Sequence, residues 1–275
     1  MLLVTGAGGF IGSAIFRALG DEALALGHRS DDWLDRIDGV TAIVHAGRDP
    51  RLGKPDYRLE DDVELQIARV VAARGLPLLT LGTRKVYAPA DLPLGEDAPL
   101  GPTDRYGEQK LQMEEKLQAL LGDRLTRLRL ANIFGFERGR QGFMGLMLDG
   151  LERHDTIRFD MSPFVARDFL PVELAAAAIA SLLQAPPGGI VNIGSGVPLE
   201  TGRLALAVIE GRGAGRLVVE NAHASDAFTL DVRHMRALTG MATDAAGPRG
   251  GPGPPRAPAH APWPRGSPRP GRTWH

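Results

Sequence analysis

Short apolar runs alternate with amphipathic stretches along most of the chain, which is the pattern of a parallel sheet covered by helices on both faces. Residues 2–4 predict a first strand. Ile11, Ile15 and Leu19, with Ala14 and Ala18, then fall on one face of a helix that runs to Gly20. Residues 24–26 predict a short second strand, and 40–44 a buried one ending at His45-Ala46-Gly47. Val63, Ile67, Val70 and Val71 mark a helix stopped by Gly75, and 78–81 the next strand, with Thr83 just beyond its C-terminal end. The spacing of Leu111, Leu117, Leu120 and Leu121 predicts a helix over 106–121. A strand at 125–130, an alanine-rich helix at 171–184 stopped by Pro186-Pro187, and a buried strand at 190–193 complete the pattern. The expected fold class is α/β, a doubly wound parallel sheet.

This patterning stops near Thr243. From Gly247 to His275 the chain carries nine prolines, five arginines and no acidic residue, a composition that buries too little surface to offset its ordering entropy. Residues 244–275 are therefore expected to form a disordered tail; partner binding by this polybasic, proline-rich segment is the functional alternative to a mere extension. With a net charge of −1 overall and five arginines in the tail, the remainder carries about −6. That balance argues against nucleic acid or an anionic membrane as the main partner. Cysteine is absent, which excludes disulfides and thiolate chemistry. The histidines show no metal-ligand spacing, so no dedicated metal site is expected. Met1-Leu2-Leu3-Val4 runs into a glycine turn with no basic region or cleavage site, and no apolar run is long enough for a membrane span; a cytoplasmic location is the expectation.

That turn, Thr5-Gly-Ala-Gly-Gly-Phe-Ile-Gly12, lies between a strand and a helix with Gly6, Gly9 and Gly12 at spacings of three. The first glycine permits the turn, the second lets backbone approach a pyrophosphate, and the third lets helix pack on strand, as in Rossmann-type dinucleotide sites. The free N–H groups and positive end of the helix then face the phosphates. An acid at the end of the second strand selects NAD and an arginine selects NADP. Arg29 and Ser30 favour NADP, whereas Asp31 and Asp32 reverse the choice if the strand ends later.

Thr83, Tyr106 and Lys110 are the candidate catalytic residues. Tyrosine occurs only at 57, 87 and 106, and Tyr106 stands four residues before a lysine on a predicted helix, which puts phenol and ammonium on one face. Thr83 would add a hydroxyl at the strand end where active sites of open α/β sheets are built.

With the glycine turn, Thr83-x-x-Val-Tyr87, Tyr106-x-x-x-Lys110, Leu130-Ala-Asn-Ile-Phe-Gly135 and Arg167-Asp-Phe169 in this order, residues 1–241 resemble the extended short-chain dehydrogenase/reductases. The branch they are most similar to is the NAD-dependent epimerase/dehydratase family that modifies nucleotide sugars. The resemblance implies that Tyr106 is the general acid/base, that Thr83 hydrogen-bonds the reacting oxygen, and that Lys110 binds the nicotinamide ribose and stabilises the phenolate. It implies cofactor contacts from Gly6, Gly9, Phe10, Ile11, Gly12, Arg29, Ser30, His45 and Ala46. Asn132 and Arg167 fall to the substrate, Arg167 on a diphosphate; a turn cap and an Arg167–Asp168 pair are the structural alternatives. Residues 1–135, completed by 165–197, are expected to bind the dinucleotide, and 136–164 with 198–243 to form a small substrate lobe.

Some positions depart from the family pattern. Gly82 stands where a serine often precedes the catalytic hydroxyl, which is expected to loosen that loop without removing Thr83, and Arg84-Lys85 stand where 4,6-dehydratases carry an acidic pair, which disfavours dehydration by an Asp/Glu couple. The expected function is an NAD(P)-dependent oxidoreductase or epimerase of a nucleotide-linked sugar. A reductase of small carbonyl compounds and a non-catalytic NAD(P)-sensing protein are the alternatives. The resemblance also implies a homodimer formed through the Tyr106 helix.

Overall fold

The computed structural model describes residues 1–26, 37–91, 93–135, 142–223 and 226–241. Arg29, Ser30 and the expected tail at 244–275 lie outside the described residues, as do 136–141 of the expected substrate lobe.

Six strands form the central sheet: β1 (Leu2–Thr5), β2 (Ala23–Leu26), β3 (Ala42–His45), β4 (Leu78–Thr83), β5 (Leu125–Leu130) and, further along the chain, β9 (Gly189–Ile193). Their order is β2-β1-β3-β4-β5-β9, and every neighbouring pair is parallel. The chain winds outward from β1 to β2 and then returns to place β3 on the other side of β1. A crevice therefore opens at the C-terminal ends of β1 and β3, the switch point at which such sheets bind ligands.

Alternation along the strands fills two layers. Leu2, Val4, Ala42 and Val44 pack with Ala14, Ile15 and Leu19 of α1 (Phe10–Leu19) and with Ala175, Ile179 and Leu183 of α5 (Val172–Gln184). Leu3, Ile43 and Leu78 point the other way, onto Leu65, Ala68 and Val71 of α2 (Val63–Ala73) and Met113, Leu117 and Leu121 of α3 (Arg105–Leu121). Burial on both faces explains why these strands read as continuous apolar runs. Asp62 caps α2 by accepting from the Glu64 N–H at 2.8 Å, and Asp104 caps α3 by accepting from the Gly107 N–H at 2.8 Å.

The remaining elements build a smaller body. β6 (Asn132–Phe134), β8 (Ala166–Pro171) and β10 (Pro198–Glu200) form a three-stranded sheet, and β7 (Thr156–Phe159) pairs with β11 (Arg216–Val219). Met147 and Leu151 of α4 (Phe143–His154) and Leu204 and Ala205 of α6 (Thr201–Arg212) meet Ile157, Phe159 and Phe169 in a separate apolar cluster. A last short helix, α7 (Arg233–Thr239), buries Met235 in the main core.

Some boundaries differ from the sequence expectation for local reasons. The strand expected from 40 starts at Ala42, because the Val40 N–H closes a turn onto the Ile37 carbonyl at 3.1 Å. The helix expected from 171 starts at Val172, because Pro171 is still paired in β8 with Phe134. β4 continues through Thr83, which pairs with Leu130, so the candidate hydroxyl sits on the last strand residue rather than beyond it.

Gly82 is likewise inside β4, opposite Arg129. The Arg129 guanidinium is buried against the Glu114 carboxylate of α3, with Nη2 to Oε2 at 2.7 Å and side-chain exposures of 2% and 5%. A Cβ at position 82 would approach Glu114 Oε1 to 2.9 Å, so glycine here makes room for the ion pair rather than loosening a loop. Glu114→Gln should leave a buried guanidinium without its counter-charge and lower stability by about 3–5 kcal/mol in urea denaturation. Replacing both residues by methionine should cost far less; equal losses in the two variants would contradict this account.

Candidate active site

The glycine turn sits directly over the switch point. Gly6 has φ 75°, and a Cβ there would lie 2.5 Å from the Gly47 nitrogen, so the loop after β3 closes against its backbone. The Gly9 N–H returns to the Gly6 carbonyl at 2.9 Å, and Gly9 caps α1 in extended conformation. A Cβ on Gly12 would stand 2.1 Å from the Gly6 oxygen, which is why the first turn of α1 can press onto the loop. Two backbone approaches of this closeness make a cradle without side chains, open to a pyrophosphate at a helix N-terminus. Beneath it, buried His45 meets Thr5 Oγ1 through Nδ1 at 2.7 Å, and the Ala46 N–H reaches the Thr5 carbonyl at 2.9 Å. These bonds tie β1 to β3 under the cradle.

Tyr106 lies in the first turn of α3, half-buried, and Lys110 one turn later is buried. The Lys110 ammonium donates to Glu64 Oε2 of α2 at 3.0 Å and to the Leu81 carbonyl of β4 at 3.1 Å. Burial alone would pull this ammonium below its ordinary value, but the Glu64 carboxylate beside it and the neighbouring Tyr106 hold it above that value. Lys110 is a fixed positive charge behind the phenol. On the solvent side, the Arg48 guanidinium lies 5.6 Å from the centre of the Tyr106 ring. Tyr106, Thr83, Asn132, Phe10 and Ile11 line one cavity of about 250 Å³. The phenol, the strand-end hydroxyl and the flank of the glycine turn are thereby brought together.

A second cavity of about 940 Å³ is lined by Arg84, Lys85, Arg167, Asp226 and Phe228 among others. Arg167 donates from Nε to the Asp226 carbonyl at 3.1 Å, and its Nη2 lies 3.8 Å from Asp226 Oδ2. Burial, opposed by Asp226 and reinforced by Arg84, lowers the Arg167 pKa from its ordinary value. Arg84 also pairs with the Asp226 carboxylate, and Lys85 pairs with Asp104.

The structural alternative for Arg167, a pair with Asp168, is not what forms. Adjacent strand residues face opposite ways, and Asp168 is fully buried, accepting from the N–H groups of Ser195 at 2.8 Å, Gly196 at 3.0 Å and Leu230 at 3.2 Å. Sequence reasoning missed Glu64, Asp226 and the actual partners of Asp168, because the groups they meet stand far away in the chain. The one available signal was position: Glu64 stands between Val63 and Leu65, and Asp168 is followed by Phe169-Leu170.

The model of the NAD dependent epimerase/dehydratase family matches residues 2–194. Among solved structures, the chain is similar to TunA, an NAD dependent NDP-hexosamine 5,6-dehydratase involved in tunicamycin biosynthesis, with 20% identity over 87% of this chain and 91% of that one and a TM-score of 0.74. MoeE5 in complex with UDP-glucuronic acid and NAD shares 21% identity over 87% and 92% of the two chains, with a TM-score of 0.74. The UDP-glucose 4-epimerase of Thermus thermophilus, in complex with NAD, shares 21% identity over 86% and 92%, with a TM-score of 0.69. These likenesses establish a common fold.

Gly12→Ala tests the cradle. Its Cβ meets backbone that cannot rotate away, so the turn must open, at a cost of about 1–3 kcal/mol typical of overpacking. Fluorescence titration with reduced nicotinamide dinucleotide should show binding at least roughly tenfold weaker; unchanged affinity would contradict the close approach.

Proposed function

The chain belongs to the NAD dependent epimerase/dehydratase family, and from that premise we propose that it is an NAD(P)-dependent epimerase or reductase of a nucleotide-linked sugar. The observation that carries this reading is the 250 Å³ cavity in which Thr83 and Tyr106 face Phe10 and Ile11 of the glycine turn. A side-chain-free backbone cradle at Gly6 and Gly12 fits a dinucleotide pyrophosphate. A nicotinamide bound there supplies the hydride donor or acceptor.

In this reading the chain's own residues handle the proton and the position of the sugar. Thr83 Oγ1 hydrogen-bonds the oxygen of the reacting carbon, and Tyr106 takes the hydroxyl proton as that carbon is oxidised and returns it on reduction. Lys110, fixed by Glu64 and the Leu81 carbonyl, supplies positive charge behind the phenol and would be the residue that holds the cofactor ribose. Asn132, at the start of β6, lines the same cavity and contacts the sugar. Arg167, in the larger cavity, receives the diphosphate. The smaller body of β6–β8, β10, β11, α4 and α6 serves as the substrate lobe.

An epimerase or reductase accounts better for Arg84 and Lys85 than a dehydratase. Both are cations paired with carboxylates, so the Asp/Glu couple of such an elimination is missing at these positions. MoeE5 and the Thermus enzyme bind NAD according to their complexes. Preference for NADP in this chain stands on Arg29 and Ser30, outside the described residues. Mass identification of the nucleotide released from purified protein should yield NADP if those two residues set the choice. Recovery of NAD alone would reverse it in favour of Asp31 and Asp32.

Tyr106→Phe should lower turnover of a nucleotide sugar by roughly 10²–10⁴-fold while dinucleotide affinity stays within a few-fold. Turnover unchanged by this substitution would remove Tyr106 from the reaction and favour a non-catalytic protein.

A further inference from the structure

We propose that Arg84 is a second anion-binding residue of the larger cavity, acting with Arg167, and that Asp226 is the protein's own counter-ion there, displaced when a ligand diphosphate arrives. The inference rests on the nucleotide-linked substrate proposed above, and adds a residue and a displacement that this reading does not require.

Two guanidiniums from different elements converge on one carboxylate. Arg84 comes from the turn that follows Thr83 and meets Asp226 Oδ1; Arg167 comes from β8 and faces Oδ2 and the main-chain carbonyl of the same residue. Both arginine side chains are 12% exposed, so neither is a solvated surface charge. The Arg84 guanidinium lies 3.9 Å from the centre of the Phe228 ring, and buried Phe228 is itself bridged to Arg167 through the backbone. The aromatic face fixes the orientation of the guanidinium plane. Both forks are thus held in place before any ligand arrives.

Charge decides the chemical class of that ligand. At Asp226 two arginines face one carboxylate, a local excess of one positive charge, while elsewhere on the same wall Lys85 is paired with Asp104 and Asp91 adds a negative charge; at this spot Arg84 disfavours the protonated form of Arg167. A ligand carboxylate would replace Asp226 charge for charge and leave the excess. A diphosphate carries two charges or more and presents enough oxygens for both forks.

Asp226 is suited to leave. Its side chain is 39% exposed, whereas its two partners are largely buried, and its backbone holds a φ of 62°. That left-handed conformation is uncommon for a residue with a Cβ, although aspartate is among those that adopt it. The carboxylate therefore reaches the arginines from the cavity side and has solvent to swing into. The site keeps its cations paired until a stronger anion competes.

Titration calorimetry of the full chain with uridine diphosphate and with inorganic pyrophosphate tests the proposal. Arg84→Gln should weaken both ligands by roughly tenfold or more, the loss of one charged hydrogen-bonding partner, and Arg84→Lys should recover part of it. Asp226→Asn should strengthen both by about threefold or more, since the competing anion is gone. Unchanged affinity in Arg84→Gln, or weaker binding in Asp226→Asn, would overturn the proposal and leave the nucleotide-sugar reading standing. Wild-type protein that binds dinucleotide but neither probe would overturn both.

Discussion

The positive charge of Lys110 has been taken out of water, and much of the candidate site follows from how it is kept. A buried ammonium is tolerable only with a counter-charge and hydrogen-bond acceptors in place. The acceptors come from two elements, Glu64 of α2 and the Leu81 carbonyl of β4, while the lysine belongs to α3. One charge therefore ties together the helix that carries Tyr106, its neighbour on the sheet and the strand that ends at Thr83. Two residues after the accepting carbonyl, that strand delivers the hydroxyl, and one helical turn before the lysine, α3 delivers the phenol.

A second buried pair extends the same logic one turn further along α3. Tyr106, Lys110 and Glu114 recur every four residues, so phenol, ammonium and carboxylate lie along one face. Glu114 meets Arg129 of β5 over the space that Gly82 leaves open. The helix is thus pinned to two adjacent strands by opposite charges at successive turns. Sheet geometry then does the rest: the connections that leave the paired strands β1 and β3 part at the switch point, the glycine turn sits over it, and the small cavity forms where its flank meets Tyr106 and Thr83.

Much of this was legible in the sequence, and the physical reasons for the exceptions are specific. The strands of the central sheet were readable because parallel sheets bury both faces and produce unbroken apolar runs, and the turn because three glycines meet three separate steric demands, whereas the short strands of the smaller body were not anticipated. Tyr106 and Lys110 were readable through helical spacing. Pairings between distant segments leave no such trace: nothing in local periodicity couples Lys110 to Glu64, Glu114 to Arg129, or Arg84 to Asp226. Arg167 and Asp168 show the converse case, in which the structural alternative does not form. Adjacency in sequence suggested a pair, but a strand sends neighbours to opposite faces, and each found a partner elsewhere. Position 82 was misread for a related reason, since its empty Cβ position has meaning only once α3 is packed against β4.

We propose that the Lys110 ammonium serves the chemistry as well as the packing. Replacing Glu64 by leucine and Lys110 by methionine together removes the charge while leaving apolar groups of similar size to keep α3 docked, an exchange that buried ion pairs often tolerate. The direct measurement is single-turnover absorbance of reduced nicotinamide after mixing the oxidised-cofactor complex with a nucleotide sugar, in wild type and in this folded double variant. Transient reduction is expected in the wild type and none, or a rate at least roughly a hundredfold lower, in the variant. Reduction at the wild-type rate in both would contradict it, and would make the lysine a structural residue only.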